Sequence, residues 1–187
     1  MIDPNQRAQP IKMILMDVDG TLTDGSLIVL PDGSELKSYH VRDGLGILLA
    51  GLVEIKTGII TGKTSSPLVK RAERLKITEI HQGILNKKKI LLDIQKKHRL
   101  DLNEIAFIGD DLSDIEVMKA VGLAGAVADA HPDVKNVCHF LCTLPGGKGA
   151  VREFIEFILR AQDKWSLVET KLKDIIIEKS RDRQTII

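Results

Sequence analysis

Acidic side chains follow directly on apolar runs at two places in the chain. Asp17 and Asp19 come after the apolar stretch 13–16 and are separated by one residue. Carboxylates this close repel each other, and the repulsion grows when they are taken out of water. A second acidic run, "GDDLSD", begins with Asp110 after its glycine. Mg²⁺ prefers such hard oxygen ligands. We therefore predict a Mg²⁺ site in which Asp17 and Asp110 bind directly and Asp19 contributes its backbone carbonyl.

The same residue types are suited to phosphoryl transfer. A carboxylate such as Asp17 can attack phosphorus and form an aspartyl-phosphate. Asp19 could then protonate the leaving alcohol and later accept a proton from the hydrolytic water. Thr61 offers a hydroxyl and a backbone amide to phosphoryl oxygens, and Lys87 offers a positive charge. Phosphoryl transfer depends mainly on positioning and charge neutralisation, which these four residues would provide.

An alternation of short apolar runs and longer amphipathic ones would position these side chains. The predicted strands are 12–17, 53–61, 104–110 and 122–128, and the predicted helices are 65–77, 86–100, 113–122 and 149–162. This order predicts an α/β fold, a Rossmann-like doubly wound parallel sheet. Ligands bind at the carboxyl ends of the strands in such sheets. Asp17, Thr61 and Asp110 all lie at predicted strand ends.

The segment 26–41 differs from the rest, because two β-like runs flank a "PDG" turn. It predicts a β-hairpin insertion, whose apolar residues Leu27, Val29 and Leu36 are typical of an interface. Asp43 and Ser66 are predicted N-caps of the helices that follow. No segment is long enough to form a separate cap domain. We predict a single domain over 1–187, with a core over about 10–162 and a helical tail over 163–187.

The bulk composition excludes several functional classes. The 27 Lys and Arg residues nearly balance the 26 Asp and Glu residues, so no strong field favours nucleic acid or an anionic membrane. The longest apolar stretch is about half of the ~20 residues that a membrane span needs. The N-terminus lacks the apolar core of a signal peptide. Two cysteines cannot form a disulfide framework. We therefore expect a cytoplasmic protein that acts on a small molecule.

Four motifs in order resemble those of the haloacid dehalogenase phosphohydrolase superfamily. They are "DVDGT", "IITG", a downstream lysine and "GDDLSD". Within this superfamily, four further stretches resemble the 3-deoxy-D-manno-octulosonate 8-phosphate (Kdo8P) phosphatases of lipopolysaccharide synthesis. They are "SYHVRDGLGI", "HQGILNKK", "AVADAHPDV" and "GGKGAVRE". The resemblance spans about residues 10–162. It implies a Mg²⁺-dependent sugar-phosphate phosphatase, active as a homotetramer in which the hairpins pack together.

The resemblance also implies roles for individual residues. Asp17 would be the nucleophile, Asp19 the acid/base, and Asp17, Asp19 and Asp110 the metal ligands. Thr61 and Lys87 would bind phosphate. The residues placed near the substrate are His40, Val41, Arg42, Asp43, Gly44, Lys63, Arg71 and Lys87.

Position 63 and the C-terminal tail depart from the family pattern. The Kdo8P phosphatases usually carry arginine after the threonine motif, and phosphatases of nine-carbon keto-deoxy sugar 9-phosphates carry glutamate, whereas Lys63 stands here. The tail is longer than the family's. Lysine keeps the positive charge and is nearer the Kdo8P pattern. The alternative substrate is a nine-carbon keto-deoxy sugar 9-phosphate.

Two other readings fit the sequence less well. A response-regulator receiver needs its phosphoacceptor aspartate after a middle strand, where this chain has Thr61. A degenerate oligomerisation module would not need the intact set of motifs.

Overall fold

A parallel β-sheet forms the centre of the protein. The computed structural model describes residues 3–184. The strands are β1 (Met13–Met16), β2 (Ile28–Val29), β3 (Glu35–Leu36), β4 (Lys56–Ile60), β5 (Glu79–His81), β6 (Ile105–Gly109), β7 (Leu123–Ala126) and β8 (Phe140–Leu141). Six of them form one sheet in the order β5-β4-β1-β6-β7-β8, and every neighbouring pair in it is parallel. β2 and β3 pair antiparallel as a separate hairpin.

Helices lie between the strands, before β1 and after β8. They are α1 (Pro4–Ala8), α2 (Val41–Leu52), α3 (Ser66–Arg74), α4 (Lys87–His98), α5 (Ile115–Met118), α6 (Pro132–Val137), α7 (Ala150–Ala161) and α8 (Trp165–Gln184). The hairpin and α2 are the elements between β1 and β4, a stretch that is described throughout. The predicted doubly wound α/β fold with a hairpin insertion is confirmed. No helix among residues 3–184 has the length and apolar character needed to cross a membrane.

The two central strands are apolar because both of their faces are covered. All four residues of β1 and all five residues of β6 are buried. Runs without polar alternation are typical of strands in parallel sheets. The inner face of α7 covers part of this core with the fully buried side chains of Val151, Phe154 and Ile155. Burial of these apolar residues stabilises the strands. Because the strands are parallel, the polar residues that follow them lie at the carboxyl edge of the sheet.

Several local predictions were wrong or incomplete. β5 and β8 were not predicted as strands, since they are only three and two residues long. The predicted helix 113–122 is a single 3₁₀ turn followed by the short α5. The N-cap position of α3 is Ser65 rather than Ser66, and Pro67 lies in the first turn.

The tail helix α8 lies partly against the core. Its apolar stripe consists of Val168, which is buried, and Trp165, Leu172 and Ile175, which are half-buried. Lys171 donates from Nζ to the carbonyl oxygen of Leu52 at the end of α2, at 2.8 Å. The stripe thus packs on the rest of the chain. Residues 185–187 of the predicted tail lie outside the described residues.

A buried carboxylate at the edge of the sheet predicts an acid-sensitive step in stability. Glu79 of β5 accepts hydrogen bonds from Lys97 at 2.7 Å, His98 at 2.7 Å and His81 at 2.9 Å. Burial raises the pKa of Glu79, but these three bonds outweigh it and lower the pKa to about 2. We expect Glu79→Gln to lose about 2 kcal/mol of unfolding free energy at neutral pH.

The pH dependence of that loss tests its cause. The pKa of Glu79 is lower in the folded than in the unfolded chain, so its contribution is present above the unfolded value and is lost as pH falls toward 2. Urea unfolding of both proteins at a series of pH values should show the difference shrinking below pH ~4.5. A difference that stays constant down to pH ~2.5 would contradict this origin.

Candidate active site

The turn after β1 brings the first acidic residues to the carboxyl edge of the sheet. The backbone N–H of Asp17 still donates to Ile108 of β6, at 3.0 Å, so its position is fixed by the sheet. The chain then turns at Gly20, which has φ +91°, a conformation that side chains other than glycine rarely adopt. A Cβ at position 20 would lie 2.0 Å from Oδ2 of Asp110. Glycine is required here by both the turn and the approach of Asp110.

A buried lysine joins two of the carboxylates. Lys87 is the first residue of α4, and its Nζ lies 2.8 Å from Oδ1 of Asp17 and 2.6 Å from Oδ1 of Asp114. Burial alone would lower the pKa of Lys87, but the charges of Asp17 and Asp114 outweigh burial and raise it. The ammonium group therefore stays charged between the two carboxylates.

Asp114 organises the other acidic residues of its loop. Its Oδ2 accepts from the backbone N–H of Asp110 at 3.0 Å and from that of Asp111 at 3.3 Å, while its Oδ1 is held by Lys87. Both oxygens of Asp114 are thus engaged. Asp114 therefore helps to orient Lys87.

Three carboxylates in this site face one positive charge. Oxygens of Asp17, Asp110 and Asp114 lie within 4.8 Å of one another. Burial, followed by the charge of Asp114, raises the pKa of Asp17 to about 6 against the opposing effect of Lys87. Burial also raises the pKa of Asp110 to about 7 against the effect of a hydrogen bond from Thr21 at 2.8 Å, and the charges of Asp17 and Asp114 raise it further. The excess negative charge is what a bound cation would neutralise.

The donor set fits a Mg²⁺ ion. It offers hard oxygens and few protein carboxylates, which leaves coordination positions for water and phosphate, as Mg²⁺ requires. Because both oxygens of Asp114 are engaged by Lys87 and by backbone N–H groups, Asp17 and Asp110 are the carboxylates best placed to hold the ion. Those two were the direct ligands predicted from the sequence.

The Asp19 side chain has a different partner. It pairs with Lys37, whose Nζ lies 2.6 Å from Oδ1 and 2.9 Å from Oδ2 of Asp19. The sequence analysis did not single out Lys37. Its only signal is its place next to the hairpin strand β3, and no spacing rule connects it with Asp19. The predicted acid/base role of Asp19 and the metal contact of its backbone carbonyl stay predictions.

Thr61 directly follows β4 and is buried. Its backbone N–H donates to the carbonyl oxygen of His81 at 2.9 Å, as part of the pairing of β4 with β5. The amide is therefore not free for a phosphoryl oxygen, contrary to the sequence-based expectation, because it still takes part in the pairing of β4 with β5. The hydroxyl remains the group that Thr61 could offer.

Asp43 caps a helix other than its own. It lies within the first turn of α2, and its oxygens accept from the backbone N–H of Gly149 at 3.2 Å and of Arg152 at 2.8 Å. These donors belong to the amino end of α7, so the predicted N-cap role in α2 was wrong and His40 occupies that position. Burial raises the pKa of Asp43, although the two backbone bonds oppose the shift. The carboxylate therefore joins two helices rather than facing solvent.

The remaining predicted substrate residues form two groups. Arg71 of α3 lies against Gly44 of α2, where a Cβ would be 2.2 Å from Nη2 of the arginine. These two, with His40 and Tyr39, line a small cavity between α2 and α3. The other three predicted residues are exposed: Val41, Arg42 and Lys63. Tyr39 was not predicted, and burial together with the charge of Asp19 raises its pKa to about 12, against an opposing effect of Arg71.

Comparison with known proteins places the chain in a family. The model of the haloacid dehalogenase-like hydrolases matches residues 68–155. A Yersinia pestis protein named 3-deoxy-D-manno-octulosonate 8-phosphate phosphatase is 42% identical over 162 residues, which are 87% of each chain. The corresponding protein of Escherichia coli K12 is 40% identical over 84% of each chain.

A solved structure gives the same result. The phosphatase of that name from Moraxella catarrhalis, crystallised with a magnesium ion, a phosphate ion and a Kdo molecule, superposes with a TM-score of 0.88 at 37% identity, covering 90% of this chain and 97% of that one. Sequence and fold agree over nearly the whole length of both proteins. The chain belongs to the 3-deoxy-D-manno-octulosonate 8-phosphate phosphatase family of the haloacid dehalogenase-like hydrolases.

Proposed function

We propose that the chain is a Mg²⁺-dependent phosphatase that hydrolyses Kdo8P to Kdo and inorganic phosphate through an aspartyl-phosphate. The observation that carries the proposal is the Lys87 ammonium held between Asp17 and Asp114, with Asp110 in the same cluster. The Y. pestis and M. catarrhalis relatives support the choice of sugar phosphate.

Each residue has a defined part in the reaction. An oxygen of Asp17 attacks phosphorus, the bond from phosphorus to the sugar oxygen breaks, and Asp19 gives its proton to that oxygen. Asp19 then takes a proton from water as the water attacks phosphorus and the bond to Asp17 breaks. Lys87 holds the second oxygen of Asp17 and neutralises phosphate charge, and the Thr61 hydroxyl donates to a phosphoryl oxygen. Mg²⁺, when bound by Asp17, Asp110 and the Asp19 carbonyl, would act as the Lewis acid.

The remaining roles concern the sugar. His40, Val41, Arg42 and Gly44 would lie along the substrate, with Lys63 and Arg71 supplying positive charge for its carboxylate. Asp43 would act by holding the loop before α7 against α2, since its oxygens accept from Gly149 and Arg152.

A substrate panel tests the assignment. Phosphate release should be measured with Kdo8P, with a nine-carbon keto-deoxy sugar 9-phosphate and with common hexose phosphates, each in Mg²⁺ and in EDTA. We expect the highest kcat/KM for Kdo8P and no release in EDTA. Undiminished release in EDTA would refute the metal-dependent mechanism. Faster turnover of the 9-phosphate would replace the proposed substrate with the alternative one.

We also infer a homotetramer that assembles through the hairpin and acts in the cytoplasm. Four apolar hairpin side chains are exposed in the single chain: Leu27, Ile28, Val29 and Leu36, with exposed fractions of 44%, 55%, 60% and 50%. Several exposed apolar side chains on one short hairpin are typical of an interface. Disulfides are rare in the cytoplasm, and both Cys138 and Cys142 are free thiols.

Light scattering tests the assembly. At micromolar concentration we expect a mass of four chains for the parent protein and a smaller mass for Val29→Asp, because a charge would be buried in the interface. Leu92→Asp serves as the control, since Leu92 is also exposed but lies on α4. A monomeric parent, or an unchanged mass for Val29→Asp, would contradict the inference.

A further inference from the structure

The Lys37–Asp19 pair is asymmetric in its burial. The Lys37 side chain is only 3% exposed, whereas that of Asp19 is 30% exposed. Lysine is almost never buried to this degree unless its charge is paired. Here the pairing is to both oxygens of one carboxylate, at 2.6 and 2.9 Å. The buried ammonium group of Lys37, next to the hairpin strand β3, thus binds the more exposed carboxylate of Asp19 in the turn after β1.

Stability alone does not account for this contact. Removing an ammonium and a carboxylate from water costs about as much free energy as their attraction returns. Two simultaneous hydrogen bonds do, however, fix the orientation of a short side chain. Asp19 lies two residues after Asp17, while Lys37 directly follows β3. Lys37 therefore determines which way the Asp19 carboxylate points relative to the nucleophile.

We propose that Lys37 is a positioning residue that holds the Asp19 carboxylate in the orientation needed for proton transfer to the leaving oxygen. This inference rests on the proposed function. The proton moves between Asp19 and the sugar oxygen as the phosphorus–oxygen bond breaks, and later from water to Asp19. The protons of Lys37 stay on its nitrogen. Lys37 contributes by orienting the Asp19 carboxylate. The effect of losing Lys37 therefore depends on how strongly the leaving group requires protonation.

The leaving group provides the test. The alkoxide that Kdo8P releases requires protonation, whereas the nitrophenolate of p-nitrophenyl phosphate leaves without help. We expect Lys37→Met to lower kcat/KM for Kdo8P by roughly 10²-fold and to lower that for p-nitrophenyl phosphate much less. The loss on Kdo8P should be compared with the loss on p-nitrophenyl phosphate as kcat/KM, because kcat/KM includes only the steps up to release of the alcohol, in which the leaving oxygen is protonated. Lys37→Arg, which keeps the charge and donors, should restore most of the loss on Kdo8P.

The controls separate positioning from folding and from substrate binding. Glu35→Gln changes a charge on the exposed strand β3 of the same hairpin and should leave both rates unchanged. Equal losses on both substrates, a change confined to KM, or no loss at all would overturn the role of Lys37. A parent protein that hydrolyses other phosphates but not Kdo8P would overturn the proposed substrate instead, and Lys37 would then be measured with the best alkyl phosphate of the panel.

Discussion

Asp17→Asn is expected to lower phosphate release from Kdo8P by roughly 10⁴-fold or more, as removal of a nucleophile does in other enzymes with covalent intermediates. An amide oxygen is a poor nucleophile and a weaker cation ligand than a carboxylate oxygen, so the variant loses both the attack on phosphorus and part of the metal site. The fold should survive. Burial and the neighbouring charge already raise the pKa of Asp17 to about 6, so its ionised form is less favourable in the folded protein than in water.

Asp24→Asn is the matched control for this variant. Asp24 lies in the same loop but is exposed, and its Oδ1 accepts from the backbone N–H of Ser26 at 3.0 Å, as expected of a turn residue. Its replacement should leave turnover near the parent value. Steady-state phosphate release and thermal unfolding of both variants give the comparison. Asp17→Asn protein that is folded and retains more than a few per cent of activity would refute the covalent mechanism.

Lys87→Met is expected to reduce both activity and stability. Loss of one positive charge aimed at the phosphate lowers kcat by roughly 10²–10³-fold. Loss of the shared partner also leaves the buried carboxylates of Asp17 and Asp114 without compensation, at a cost of about 3–5 kcal/mol in unfolding free energy. Steady-state kinetics and urea unfolding measure the two effects separately.

Two further variants make this prediction decisive. Lys88→Met removes the next lysine, whose side chain is 47% exposed and pairs with Glu116 at 3.3 Å. Exposed pairs contribute about 0–1 kcal/mol, so little change is expected. Lys87→Met combined with Asp114→Asn removes one of the stranded charges and should recover part of the stability without recovering activity. Equal effects of the Lys87 and Lys88 variants would contradict the buried-pair explanation.

The fold was predictable wherever a segment was long and uniformly apolar. The four central strands were predicted because burial on both faces demands runs such as "MILM" and "IAFIG". β5 was missed because it is three residues long and contains the buried Glu79. The charge of Glu79 is compensated by Lys97 and His98 of α4 and by His81 of the same strand. A short strand that carries a charge has no periodic signature.

The sequence by itself determined the residues at the strand ends. Asp17, Thr61 and Asp110 each follow an apolar strand, and parallel strands bring their carboxyl ends to one edge regardless of their separation along the chain. The motif order and spacing were enough to predict a phosphatase with a Mg²⁺ site. Each of these inferences depends on a residue and its immediate neighbours in the chain.

Packing between distant elements sets which polar groups remain available for chemistry. Asp43 caps the helix that begins after Gly149, 106 residues away in the chain. Asp114 accepts a hydrogen bond from Lys87. Lys37 of the hairpin segment donates to Asp19. A hydrogen bond between distant residues depends on where whole elements pack, and side-chain type and local spacing do not encode that placement. The two neighbouring acids after β1 therefore have different partners. Asp17 pairs with Lys87, and Asp19 pairs with Lys37, which follows a hairpin that the sequence predicted only as an interface.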